Sequence, residues 1–167
     1  MTSQVRYNTK EQIFLTQFYI YMVDVHHTTY EEFNELMLIS QPEFSKFINS
    51  FKQMINDLKL NCSLLIEKTY PEEYDSNFKI NTYYLQQIGE DYYFEYEHLN
   101  EEQLIKYSMI IVYLMLRNHQ YVTTSLLETI FPNFTRKTMF NLLNKLKEII
   151  PGEIEKNEIF SYVIELD

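Results

Sequence analysis

Tryptophan and alanine are both absent from this chain of 167 residues. There is one cysteine, there are two glycines and four prolines, and 14 lysines and arginines stand against 24 acidic residues. Each shortage excludes something. A lone thiol, Cys62, rules out an intramolecular disulfide and a cysteine-rich zinc site. With glycine only at positions 89 and 152, no glycine-rich phosphate-binding loop can form. The longest apolar run, Met109 to Leu116, falls far short of the roughly 20 residues that span a bilayer. The opening MTSQVRYNTKEQ lacks the charged-then-apolar pattern of a secretion signal. The expectation is therefore a cytoplasmic protein with no membrane partner. A net charge of −10 disfavours indiscriminate nucleic-acid binding, which needs cations to meet phosphates. A local basic face can still operate on an acidic body.

Catalytic patterns are also missing. The four histidines, His26, His27, His98 and His119, form no His-x-x-x-His pair, and there is no G-x-S-x-G sequence. His26 and His119 sit at expected helix ends, where a cationic ring suits the dipole. Glu95 and Glu97 flank Tyr96, a spacing that by itself supports no glycosidase pair. These observations predict a non-enzyme with no metal and no cofactor.

What is present is enough for a core: 46% hydrophobic residues, including 15 tyrosines and 12 phenylalanines. Lys10 to Val25 carries apolar residues at threes and fours and predicts a helix. Thr29 can cap a second, short helix from about Tyr30 to Leu38, with Glu31 and Glu32 in its first turn. Ser40 opens a third helix, Glu43 completing a capping box and Pro42 fitting the first turn. Its buried face is Phe44, Phe47, Ile48, Phe51, Met54 and Ile55. Two β-rich runs follow, Ser63–Thr69 and Phe78–Gln86, around the polar turn 70–77 that carries Pro71.

The same order then returns. Asn100 caps EEQLIKYSMIIVYLMLR, Thr123-Thr124 repeats Thr28-Thr29, and a short helix runs from Ser125 to Phe131. Thr135 caps RKTMFNLLNKLKEII, and a shift of 95 pairs the six apolar positions of the earlier third helix with Met139, Leu142, Leu143, Leu146, Ile149 and Ile150. Ile154 and Ile159 to Leu166, flanking Lys156-Asn157, predict a second, shorter hairpin. The fold class expected is mainly α with small β-hairpins, two winged helix-turn-helix modules in tandem: 1–88, an acidic aromatic linker 89–98 (a strand or tether), and 99–167.

Residues 33–54, FNELMLISQPEFSKFINSFKQM, resemble the reader of winged helix-turn-helix regulators of low-GC bacteria, of the DeoR type. The tandem order resembles the paired N-terminal domains of the Mga and AtxA regulators. The resemblance implies that each third helix enters a major groove and the wing touches the flanking backbone. Two positions depart from the pattern: Asn34 stands where a small residue is usual, and Leu38 where the turn glycine is usual. Without the regulatory domains of the larger members, the expectation is a stand-alone reader or a protein that reuses the shape.

On that basis the candidate DNA contacts in the second third helix are Arg136, Lys137, Thr138, Asn141, Asn144, Lys145 and Lys147. From Pro132 to Lys147 its segment holds four cations and no acid. Cations in a first turn oppose the dipole, so their placement suits either a phosphate partner or neutralisation of the acidic remainder of the chain. The earlier third helix offers Ser45, Lys46, Asn49 and Lys52: Asn suits adenine, Ser either base type, and lysine phosphate. The function expected is sequence-specific binding of double-stranded DNA in transcription control. A rival reading is an acidic tandem winged-helix protein-interaction module, either of the chromosome-segregation kind or mimicking DNA to block a nucleic-acid-binding protein. It would bind a basic protein through Glu90, Asp91, Glu95 and Glu97. A plasmid replication initiator shares the architecture but is usually more basic. Tyr92, Tyr93, Phe94 and Tyr96 suit internal packing or a homodimer contact.

Overall fold

A computed structural model of the chain describes the backbone of residues 9–70, 79–89, 93–118 and 122–166, with side chains in those ranges as far as Ser161. The described chain is mainly helical, with one small antiparallel sheet. It divides into two compact units, Phe18–Tyr93, and Met1–Gln17 together with Phe94–Asp167. The division falls inside the first helix, α1 (Lys10–Val25).

In the unit 18–93, α1 is followed by strand β1 (His27–Thr29), helices α2 (Tyr30–Met37) and α3 (Gln41–Asp57), and strands β2 (Cys62–Thr69) and β3 (Ile80–Gln87). The helix starts follow local chemistry. Thr29 Oγ1 accepts from the Glu32 amide and Ser40 Oγ from the Glu43 amide, each at 3.3 Å. Ser40 Oγ also donates to Glu43 Oε1 at 3.1 Å, so this carboxylate is engaged at the cap. All six apolar positions expected to face the core from α3 are buried. The sheet order is β1-β3-β2, with Leu64 opposite Leu85 and Ile66 opposite Tyr83. Strand β1 was not anticipated, because His27-Thr28-Thr29 pairs only with Tyr84, Tyr83 and Thr82, far away in sequence. The Pro71 turn and Phe78 lie outside the described residues.

The core of this unit is a cluster of rings. Phe18 is fully buried and meets Phe33, Phe44 and Phe51 edge-on at centroid distances of 5.1, 6.1 and 4.9 Å. Phe44 also packs edge-on against Tyr30 and Tyr83.

Both departures from the helix-turn-helix pattern have local explanations. Asn34 Oδ1 accepts from the Ile39 amide at 2.6 Å, and its backbone oxygen accepts from the Leu38 amide at 2.9 Å. The residue thus closes the end of α2. Leu38 takes the left-handed conformation, φ 51° and ψ 60°, that a glycine there would adopt freely. Holding a branched side chain in this region costs about 1–2 kcal/mol, partly offset by the greater freedom a glycine loses on folding. Leu38 is 80% exposed and contributes little burial. Leu38→Gly is therefore expected to raise the stability of the chain by about 0.5–1 kcal/mol. A urea midpoint that stays put or falls would contradict this.

Cys62 opens β2 as a buried thiol, and burial pushes its pKa from the ordinary 9.0 up to about 11. Between those values the folded thiol keeps a proton that the unfolded thiol has lost, so stability falls as pH rises from 9 to 11. The loss is about 2 kcal/mol by pH 10.5. Urea midpoints at pH 8 and 10.5 should diverge more for the wild type than for Cys62→Ala. Equal pH dependence would mean that the thiol does not titrate as described.

The other unit contains α4 (Glu101–Lys106), α5 (Ser108–Arg117), α6 (Thr124–Ile130), α7 (Arg136–Ile149) and α8 (Glu153–Leu166). Residues 93–100 form no strand, and Glu90, Asp91 and Tyr92 of the expected linker lie outside the described residues. So does His119. The single helix expected over 101–117 is interrupted at Tyr107, where Ser108 Oγ donates back to the Ile105 carbonyl at 2.9 Å. All of α5 from Ser108 to Leu116 is buried. The start of α1 belongs here: Gln12 Nε2 donates to the Ile105 carbonyl at 3.0 Å, and Lys106 pairs with Glu11 at 3.0 Å.

The second hairpin is not formed. Residues 153–166 fold as helix α8. Ile159 and Phe160 are buried together, as neighbours on one helical face, whereas Ile154 is 85% exposed. Lys156-Asn157 has no glycine to take the positive φ of a two-residue hairpin. Instead Gly152, at φ 81°, separates α7 from α8, and Glu153 and Glu155 favour a helix start.

Candidate nucleic-acid interface

Each candidate reading helix is held by its buried stripe, which leaves the opposite face to solvent. On α3, burial of Phe44, Phe47, Ile48 and Phe51 turns Ser45, Lys46, Asn49 and Lys52 outward, and all four are exposed. Neither Lys46 nor Lys52 makes an ion pair with a described carboxylate.

On α7, Met139, Leu142, Leu143 and Leu146 are buried. The Thr135 hydroxyl caps the helix by accepting from the Thr138 amide at 3.1 Å. Arg136 and Lys137 are thus the first two helical residues. Both are exposed, the Arg136 side chain 82% so. Asn141 and Asn144 lie farther along the exposed side.

The remaining candidates of α7 are placed differently. Thr138 Oγ1 is 2.9 Å from Thr135 Oγ1, which ties it to the cap. Lys145 is half-buried, and its Nζ lies 3.2 Å from Glu148 Oε2. The Lys147 ammonium sits 5.5 Å from the centre of the Phe160 ring of α8. Arg136 Nε is 3.2 Å from Glu128 Oε1 of α6. A pair this exposed is worth under about 1 kcal/mol, so it leaves the guanidinium free to exchange partners. Glu148, exposed one turn beyond Asn144, limits the basic face to the first two turns.

Three exposed residues on these elements escaped the sequence reading. Phe140 is 60% exposed on α7, one turn from Arg136 and from Asn144. The shift of 95 that aligns the two third helices pairs it with Ser45, an outward position, which was a usable signal. Lys68 on β2 and Lys79 just before β3 are exposed at the Thr69–Ile80 end of the β2–β3 pair. They flank the polar segment 70–77 that the sequence predicts as a turn, which was a usable signal.

Beside the exposed face of α7, between it and α6, lies a cleft of about 410 Å³ lined by Thr123, Thr124, Glu128, Arg136, Met139 and Phe140, among others. Its counterpart beside α3 is smaller, about 260 Å³, and has a wall of β3 residues, Ile80, Asn81 and Tyr83. Burial raises the pKa of the Tyr83 phenol, and the nearby Glu31 carboxylate adds to the effect. Among the described residues no group of three or more His, Cys, Asp or Glu side chains could hold a metal ion. No described helix is long and apolar enough to cross a membrane.

No family model, curated protein or solved structure matches this chain.

Proposed function

We propose that the chain is a sequence-specific double-stranded DNA-binding protein acting in transcription control, with α3 and α7 as its major-groove readers. The observation that carries this reading is the first turn of α7. Arg136 and Lys137 are both exposed there, against the helix dipole, ahead of the exposed Asn141 and Asn144 on the same helix. Phosphate contacts by the two cations would set position, and the amides would read adenine edges. The order helix, strand, two helices, hairpin in residues 18–93 supports a winged helix-turn-helix for that unit, with Lys68 and Lys79 reaching flanking phosphates. The other unit would then present a helix-turn-helix whose third helix is followed by α8 in place of a wing.

The test is selection from a pool of random duplex DNA at low and moderate salt. Enrichment of a defined site, weakened by salt, is the expected result. Failure to bind any duplex at low salt would sink the proposal. A second reading, docking of a basic protein on the acidic surface, draws on the net charge of −10 and on the carboxylates beside Arg136 and Lys145. It predicts a complex disrupted by Glu95→Lys/Glu97→Lys and indifferent to Arg136→Glu.

A further inference from the structure

Resting on the reading of α7 as a duplex reader, we propose that Phe140 is a specificity-determining residue that packs against the C5-methyl group of a thymine. The ring does not serve the core. Met139, Leu142, Leu143 and Leu146 supply the buried stripe of α7, while Phe140 is 60% exposed. Nor does the helix-turn-helix layout demand an aromatic there, since the equivalent position of α3 is the exposed Ser45.

Its neighbours make the chemistry specific. Phe140 lies three and four residues after Lys137 and Arg136, four before Asn144, and next to Asn141. These side chains share the exposed side of one helix. If the two cations take phosphates and the amides take base edges, the ring faces the floor of the groove between them. There thymine alone among the four bases offers a methyl group, and phenylalanine is one of the side chains that contact it. Asparagine favours adenine, so amide and ring together select A·T pairs rather than G·C pairs. An apolar ring beside a basic first turn would thus report base identity where the cations cannot.

The experiment uses the full chain and the duplex enriched from a random pool. Each thymine of the site is replaced in turn by deoxyuridine, which removes the methyl and keeps the pairing. For the wild type, one or two replacements should weaken binding about fourfold, the loss expected for one buried methyl-sized group. Phe140→Ala should bind the thymine duplex more weakly and be indifferent to deoxyuridine at those same positions. Its thermal midpoint, unchanged from wild type, would exclude a folding defect. An enriched duplex that tolerates deoxyuridine everywhere overturns the assignment of Phe140 while leaving the DNA reading intact. So does equal methyl sensitivity in wild type and Phe140→Ala, which would leave the ring to a protein contact at the α6–α7 cleft. A chain that enriches no duplex at low salt overturns both.

Discussion

Arg136→Glu/Lys137→Glu is expected to weaken duplex binding at least about 200-fold at 50 mM salt. The figure follows from counterion release. Each neutralised phosphate contributes a slope of about 0.9 in log affinity against log salt. Two lost contacts, evaluated twentyfold below molar salt, remove roughly two orders of magnitude, and the introduced carboxylates add repulsion. The salt slope itself should fall by about 2. This variant separates binding from folding. Thr135 is the N-cap, so positions 136 and 137 are the first two of α7, where the helix dipole favours glutamate over arginine and lysine. Each reversal stabilises the helix end by a few tenths of a kcal/mol, against which stand the loss of the Arg136–Glu128 pair and new repulsion from half-buried Glu128, together under about 1 kcal/mol. The thermal midpoint should therefore hold within a few degrees while binding disappears. Unchanged affinity and slope, measured by anisotropy across a salt series, would remove α7 from the interface.

Phe18→Ala should destabilise the unit 18–93 by about 3–5 kcal/mol. Phe18 has no exposed surface and meets three other rings edge-on within 6.1 Å. Those partners come from α2 and from two turns of α3, so the ring joins three helices at one point. Truncation removes the burial, leaves a cavity and forfeits the quadrupole contacts, each worth about 0.5–1.5 kcal/mol beyond area. A domain stable by about 5–15 kcal/mol would lose a large share of its margin. Urea unfolding followed by far-ultraviolet circular dichroism reads the change. Phe18→Leu, which refills much of the volume, should recover most of it. A loss below about 1 kcal/mol for alanine would show that the cluster closes around the missing ring.

Local chemistry alone was enough to place much of this protein. The caps Thr29, Ser40, Asn100 and Thr135 accept the amide bonds their side chains suggest. The apolar stripe of α3 is buried at all six expected positions. Of the six matched positions, Met139, Leu142, Leu143 and Leu146 of α7 and Ile150 just beyond it are buried, with Ile149 half-buried. Capping and stripe burial depend on neighbours within a turn or two, so they are written in contiguous residues. That locality is also why Arg136, Lys137, Asn141 and Asn144 could be nominated before their exposure was known.

Three features depended on partners distant in sequence. Strand β1 exists only because β3, more than fifty residues later, pairs with it. Segment 153–166 alternates too weakly to declare itself, and burial of Ile159 and Phe160 together makes it a helix where a hairpin was expected. The first half of α1 joins the unit of residues 94–167 through Gln12 and Glu11, whose partners, Ile105 and Lys106, lie more than ninety positions away. The same holds within the candidate site. That the Lys147 ammonium meets a ring of α8 is decided by packing, because the period of α7 cannot specify what stands across from it.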